Sequence, residues 1–126
     1  MATWTKDELI RIAGAEELEL SSQRRDGTLR DAVTMWVVRE GENLYVRSMH
    51  GRTSVWYRGT QTRHQGHIGA GGVSKEVSFG DASGDPSLNK RIDAAYREKY
   101  RRYGDDMVGA VVNPGSRAAT IKLEPR

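Results

Sequence analysis

The spacing of hydrophobic and polar residues changes along this chain, and each change marks an element. Thr5 and Glu8 have the spacing of a capping box, and Trp4 and Leu9 that of a hydrophobic staple. A helix therefore starts here, with Leu9, Ile12 and Ala13 on its docking face and Gly14 as its stop. Leu18 and Leu20 then alternate with Glu17 and Glu19, the pattern of a short half-buried strand. Asp26-Gly27 is a turn signal. The stretch from Arg30 to Val38 is rich in Val, Thr, Met and Trp, with apolar residues of both parities. It predicts a strand buried on both faces, as in a barrel wall backed by a helix or a second subunit. Residues 39–43 make a turn, and Leu44 to Ser48 return as the hairpin partner. Gly51 marks the next turn, before an extended Ser54-Val55-Trp56-Tyr57.

Arg58 to Gly72 has no regular period and holds glycines at 59, 66, 69, 71 and 72, which predicts a long functional or mobile loop. Val73, Lys75, Val77 and Phe79 alternate with polar residues, giving another strand. Asp85-Pro86 supplies an N-cap and a first-turn proline for a second helix. Leu88, Ile92, Ala95, Tyr96 and Tyr103 follow at helical spacing, up to Gly104. Met107 to Val112 fits neither period, and Ala119, Ile121 and Leu123 close the chain as a strand. The expected fold is mainly β (α+β): one sheet of about six strands curled into a barrel, with an N-terminal helix and a helix in the C-terminal half.

Length and composition narrow this further. At 126 residues the whole chain, 1–126, is expected to be a single domain. Hydrophobic residues at 37% and charged residues at 29% suit a soluble globular protein. The lack of cysteine excludes disulfides, thiolate metal sites and cysteine nucleophiles. No apolar run approaches the roughly 20 residues that span a bilayer. The first fourteen residues lack the pattern of a signal peptide, so a cytoplasmic location is expected.

The net charge of +3 conceals a local excess. Between residues 21 and 67, eight arginines face only Asp26, Asp31, Glu40 and Glu42, a net of +4. Fifteen of the 20 basic residues are arginine, which a GC-rich coding sequence would also produce. The functional counterpart is an anion site drawn from Arg24, Arg25, Arg30, Arg47, Arg52 and Arg58, because the guanidinium fork suits phosphate and carboxylate.

Other constellations carry less. His64 and His67, with His50, have the donors for a catalytic zinc, but they sit among glycines with no acidic residue between Gly59 and Gly72. Solvated loop histidines are the simpler expectation, and no metal is assigned. Gly69-Ala70-Gly71-Gly72 precedes a strand, so it is neither a P-loop nor a dinucleotide fingerprint. No Gly-x-Ser-x-Gly elbow supports a hydrolytic triad. Residues 96–103 mix tyrosines with basic residues, as nucleic-acid binders do. However, the tyrosines keep the core face and the basic residues favour the helix dipole, so nucleic acid is not expected as a partner.

The stretch from Ser21 to Gly59 is the most suggestive, since it sets arginines at a turn, then a hairpin, then Trp56-Tyr57-Arg58. Arginines for a phosphate beside Trp36, Tyr45, Trp56 or Tyr57 for a flat ring are what a phosphorylated ring cofactor requires. Here the chain resembles the split-barrel flavin and deazaflavin reductases. Those proteins carry a Gly-Arg-Lys-Ser-Gly-x-x-Arg turn and, after a hairpin, a Trp-Tyr-x-Asn motif. This chain has residues 23–30, Gln-Arg-Arg-Asp-Gly-Thr-Leu-Arg, at the first and Trp56-Tyr57-Arg58-Gly59 at the second. Residues 117–125 also look like the end of those proteins. In layout the chain is closer still to a bacterial family of small uncharacterised proteins with that split barrel.

The resemblance implies FMN or a deazaflavin as cofactor, with Arg24, Arg25 and Arg30 on its phosphate or tail and Trp56 and Tyr57 near the ring. It implies a homodimer, a small-molecule substrate such as a quinone-like or nitro-aromatic compound, and no catalytic side chain. Gln23 stands where the family has glycine, and Arg58-Gly59 where it has asparagine. The alternative is therefore a non-enzymatic split barrel that binds an anionic small molecule, its cofactor lost.

Overall fold

In the computed structural model, which describes residues 3–126, the chain order is α1 (Lys6–Ala13), β1 (Leu18–Ser22), β2 (Val33–Met35), β3 (Val38–Glu40), β4 (Asn43–Arg47), α2 (Val55–Arg63), β5 (Gln65–Ala70), β6 (Val73–Asp81), α3 (Pro86–Tyr100), α4 (Asp105–Gly109), α5 (Pro114–Ala118) and β7 (Thr120–Pro125). All seven strands join one antiparallel sheet in the order β2-β1-β5-β6-β7-β4-β3. Its edge strands, β2 and β3, are separated in the chain only by Trp36 and Val37. Laid flat, seven strands would set those edges about 29 Å apart, at roughly 4.8 Å per spacing. The steps from Met35 to Val38 reach at most about 11 Å. The sheet must therefore curl until its edges meet, and the expected barrel follows from connectivity alone.

Alternation then sorts the side chains. Leu18, Leu20, Leu44, Val46, Ile68, Val77, Phe79, Ile121 and Leu123 fill the interior, where Leu9 and Ile12 of α1 also pack. The capping box of Thr5 and Glu8 is present, and the Trp4 indole N–H donates to the Leu123 carbonyl at 2.9 Å. Val38 and Tyr45 face outward and are covered by Ile92, Tyr96 and Tyr100 of α3. Val37 and Val38 thus point into two different cores, but the burial on both faces expected of this stretch does not extend to β2, where Val33 and Thr34 are exposed.

Three expectations are corrected. The single strand from Arg30 to Val38 is broken: residues 30–32 are irregular, and the chain leaves one sheet edge at Met35 to re-enter the other at Val38. The unpaired backbone at the break finds partners on α3. The Tyr100 hydroxyl accepts from Val37 N–H at 3.2 Å, and Lys99 Nζ donates to the Val37 carbonyl at 2.7 Å. The extended segment 54–57 is instead the start of α2, capped by Ser54 Oγ, which accepts from Tyr57 N–H.

The long loop 58–72 is the rest of α2 and then β5. Its glycines have separate physical causes. A Cβ on Gly59 would lie 2.6 Å from Ser22 Oγ, so the residue lets α2 close onto β1. Gly71 and Gly72, at φ +57° and +81°, form the two-residue hairpin turn between β5 and β6. The strand count accordingly rises from about six to seven.

Candidate ligand groove

Where α2 meets β1, the barrel wall opens into a cleft of about 840 Å³. Leu20 and Ser22 form its floor, Arg24, Arg30 and Asp31 one rim, and Thr53 to Trp56 at the start of α2 the other. A second, more apolar compartment of about 600 Å³ adjoins it and shares Val33, His50 and Trp56. Met35, Trp36, Met49, Met107 and Val111 line that second space. One groove therefore runs from a cationic end to an aromatic and thioether end.

Local sequence builds the cationic end. After β1 the chain turns back through Asp26-Gly27, where Asp26 Oδ1 accepts from the Thr28 amide and hydroxyl. These bonds, led by the hydroxyl's, hold the Asp26 carboxyl below its ordinary value. Arg24 braces the turn with Nη1 donating to Leu29 O at 2.8 Å. Arg30 folds inward, with Nη1 donating to Gln23 O at 2.6 Å and, at longer range, to Ser22 Oγ and Gly59 O. Among the described residues, neither arginine has a carboxylate within ion-pair distance. Both retain charge that a groove ligand can use, and Ser54, Val55 and Trp56 at the start of α2 line the same cleft.

The remaining arginines of this stretch separate by environment. Arg25 is exposed at the turn and its carbonyl accepts from Arg63, outside the cleft lining. Arg52 donates to Ala118 O at 2.8 Å, and Arg58 lies exposed on α2. Arg47 is buried and fully bonded: Nε to Thr120 Oγ1, Nη1 to Asp93 Oδ1 and Val111 O, and Nη2 to Asn89. Asp93 also holds Arg117 at 2.9 Å. Burial raises the Asp93 carboxyl, but the two guanidinium groups more than offset it and leave the group below its ordinary value. Arg47 thus ties β4 to α3 and β7, and has no donor left for a ligand.

Trp56 is half-buried and lines both compartments, whereas Tyr57 belongs to the barrel core and meets the Trp56 ring edge-on at 6.3 Å. Trp36 lines the apolar compartment, and Tyr45 lies under α3. The histidines are dispersed: His50 lines the groove, His64 ends α2 in a left-handed conformation, and His67 Nε2 lies 2.9 Å from Ser74 Oγ. Among the described residues, no three His, Cys, Asp or Glu side chains group as metal ligands. Asp31, His50, Met49 and Thr53 were not singled out for this groove by the sequence. Only a turn signal at Gly51 hinted that the chain doubles back here to deliver three of them.

A curled antiparallel sheet whose edges meet, with these flanking helices, is a split barrel, and solved structures share this fold. Within that class, residues 8–123 match the family described as "uncharacterized protein conserved in bacteria (DUF2255)", and the chain belongs to it. Among solved structures it is similar to a conserved hypothetical protein, Rv2991, from Mycobacterium tuberculosis. That match has a TM-score of 0.60 and 14% identity, over 99% of this chain and 81% of the other. It is also similar to a protein described as an F420 reductase, with a TM-score of 0.57 and 17% identity, over 93% of this chain and 91% of that one. Among curated proteins, none matches the sequence. No helix of the described residues is long and apolar enough to cross a membrane.

Proposed function

We propose that this protein binds a deazaflavin or FMN in the groove and acts as a small oxidoreductase on quinone-like or nitro-aromatic compounds. The observation that carries this reading is the polarity of one continuous groove, cationic at Arg24 and Arg30 and apolar around Trp56, Trp36, Met35 and Met49. A phosphorylated tail suits the first end and a flat ring the second. Arg24 and Arg30 would hold the tail, with Arg25 adding long-range attraction from the turn. Trp56 would flank the ring, and Tyr57 would fix the Trp56 rotamer from behind.

The bound ring supplies hydride transfer; the chain's own residues bind, orient and exclude water, and no side chain has to serve as acid or base. The F420 reductase description of a structural relative agrees with this reading. Leu29, Val33, Met49, Val55 and Met107, 37–81% exposed, leave apolar surface beside the groove for a second copy of this chain. The protein then works as a homodimer.

Titrating the purified protein into FMN and into a deazaflavin, with ligand fluorescence as readout, tests the reading. Saturable quenching at micromolar protein is expected for at least one, and no response to either would sink it. One observation favours the alternative, a non-enzymatic barrel for an anionic metabolite: Arg30 already spends Nη1 on three internal acceptors. That reading predicts binding of a simple phosphorylated compound with no flavin response.

A further inference from the structure

The apolar end of the groove leads, through Trp36, into an aromatic stack whose other members, Tyr100 and Tyr103, have no part in the binding reading. Trp36, which lines the groove, lies parallel to Tyr100 with ring centroids 4.0 Å apart and planes 6° apart. Tyr103 lies 5.2 Å from Trp36 and 6.2 Å from Tyr100. Tyr100 is fully buried, while Tyr103 is 38% exposed at the far side. Their hydroxyl partners differ in kind. Tyr100 donates to the Glu16 carbonyl at 2.8 Å, and a carbonyl cannot take its proton. Tyr103 donates to the Glu16 carboxylate, which Arg102 also holds. Burial keeps the Tyr100 phenol well above its ordinary value, whereas the Tyr103 hydrogen bond, ahead of Arg102, keeps Glu16 ionised and ready to accept.

We infer that Trp36, Tyr100 and Tyr103 form a relay that carries an oxidising equivalent from the groove to the protein surface, ending in a proton transfer from Tyr103 to Glu16. A one-electron oxidant at the groove, such as a photoexcited flavin-type ring, takes one electron from the Trp36 indole. Tyr103 returns one electron to Trp36, directly or through Tyr100, and its phenolic proton passes to the Glu16 carboxylate. The oxidant is then reduced by one electron, Trp36 is restored, and Tyr103 is a neutral phenoxyl radical beside a protonated Glu16. A thiol or ascorbate at the surface restores Tyr103 by supplying an electron, as the proton returns from Glu16. The relay rests on aromatic geometry and not on which ring occupies the groove.

Pulse radiolysis with azide radical, which oxidises tryptophan, tests this without any cofactor. In a Tyr57→Phe parent, which removes the phenol 6.3 Å from Trp56, the tryptophan radical absorbance should convert to tyrosyl radical absorbance in a step independent of protein concentration. Tyr103→Phe, at an exposed position that leaves the fold intact, should abolish that conversion. In the same Tyr57→Phe parent, Trp36→Phe should also abolish it, although Trp4 and Trp56 still form radicals. Glu16→Gln should slow it and change its solvent deuterium effect, which packing alone would not do. Conversion that is absent from the Tyr57→Phe parent, that persists when Tyr103→Phe or Trp36→Phe is added to it, or that ignores Glu16→Gln overturns the inference. None of these outcomes bears on FMN or deazaflavin binding.

Discussion

Arg24 and Arg47 come from the same basic stretch of sequence and are put to opposite uses. Arg47 ends β4 beneath α3, where Asp93, Asn89, Thr120 and Val111 take all its donors. Arg24 stands in an exposed turn with one donor group engaged and, among the described residues, no carboxylate within ion-pair distance. The difference is desolvation. A buried guanidinium is tolerated only where every donor and the charge itself are answered. An arginine at the rim of a groove keeps its hydration and can exchange it for a ligand. Being arginine therefore says little about function, and what the side chain has already bonded says much.

The largest effect expected from breaking this contrast is on stability. Arg47→Met leaves Asp93 buried with Arg117 alone and takes the donor from the Val111 carbonyl, so it should cost about 3–5 kcal/mol. Arg24→Ala should stay within about 0.5 kcal/mol of wild type. Urea melts followed by circular dichroism measure both. Equal losses in the two variants would dissolve the distinction.

The next effect is on binding. If the groove takes a phosphorylated ring, Arg24→Ala should weaken FMN or deazaflavin binding by about 10- to 100-fold, the worth of one charge-assisted hydrogen bond. Arg30 sharpens the comparison because it belongs to both classes. It straps Gln23 and Gly59 together while facing the cleft, so Arg30→Ala should lose affinity and also about 1 kcal/mol of stability. Fluorescence titration on variants with matched melts separates the two losses.

Much of this architecture was legible because local chemistry decides it. The capping box at Thr5, the Asp85-Pro86 start of α3 and the alternation in β1, β6 and β7 match the structure, and the turn expected over 39–43 is there but tighter, at 41–42. Elements decided by distant partners were not legible. Val55-Trp56-Tyr57 looks extended by propensity, yet helix α2 forms because Gly59 lets it pack onto β1. The break at Trp36-Val37 has no local signal, since the groups that satisfy it come from Lys99 and Tyr100. The site divides in the same way. The sequence brought Arg24, Arg30 and Trp56 forward together, and one groove holds all three. It could not set Arg47 apart from them, because the residues that bury it lie on α3 and β7.

Acid exposes the paired charge next. The folded Asp93 carboxyl is held below the unfolded value of about 3.9. Its contribution to stability is complete above that value and is lost as pH falls through the folded one. Stability measured from pH 6 downward should therefore decline less steeply in Asp93→Asn than in wild type, from a lower starting point. Parallel curves would mean that the ion pair contributes nothing there.

The smallest effect belongs to Lys99, a cation in a third kind of setting. It is half-buried on α3, sits over the Tyr100 ring at 5.1 Å and donates to the Val37 carbonyl, but among the described residues it has no carboxylate within ion-pair distance. Burial, opposed only weakly by Glu16, lowers its ammonium from 10.5 to about 8. The sign is opposite to that of Asp93. Between pH about 8 and about 10.5 the unfolded chain still holds a proton that the native protein has released. Stability should therefore rise with pH across that window. Tyrosine ionisation overlaps the upper part, so the quantity to measure is the stability difference between wild type and Lys99→Met as pH is raised. That difference should move in favour of the wild type, by an amount that solvent at this half-exposed site keeps small. A difference that stays flat would mean that the Val37 carbonyl and the Tyr100 ring answer the charge as fully as Asp93 answers Arg47. A buried cation in this fold would then not need a carboxylate.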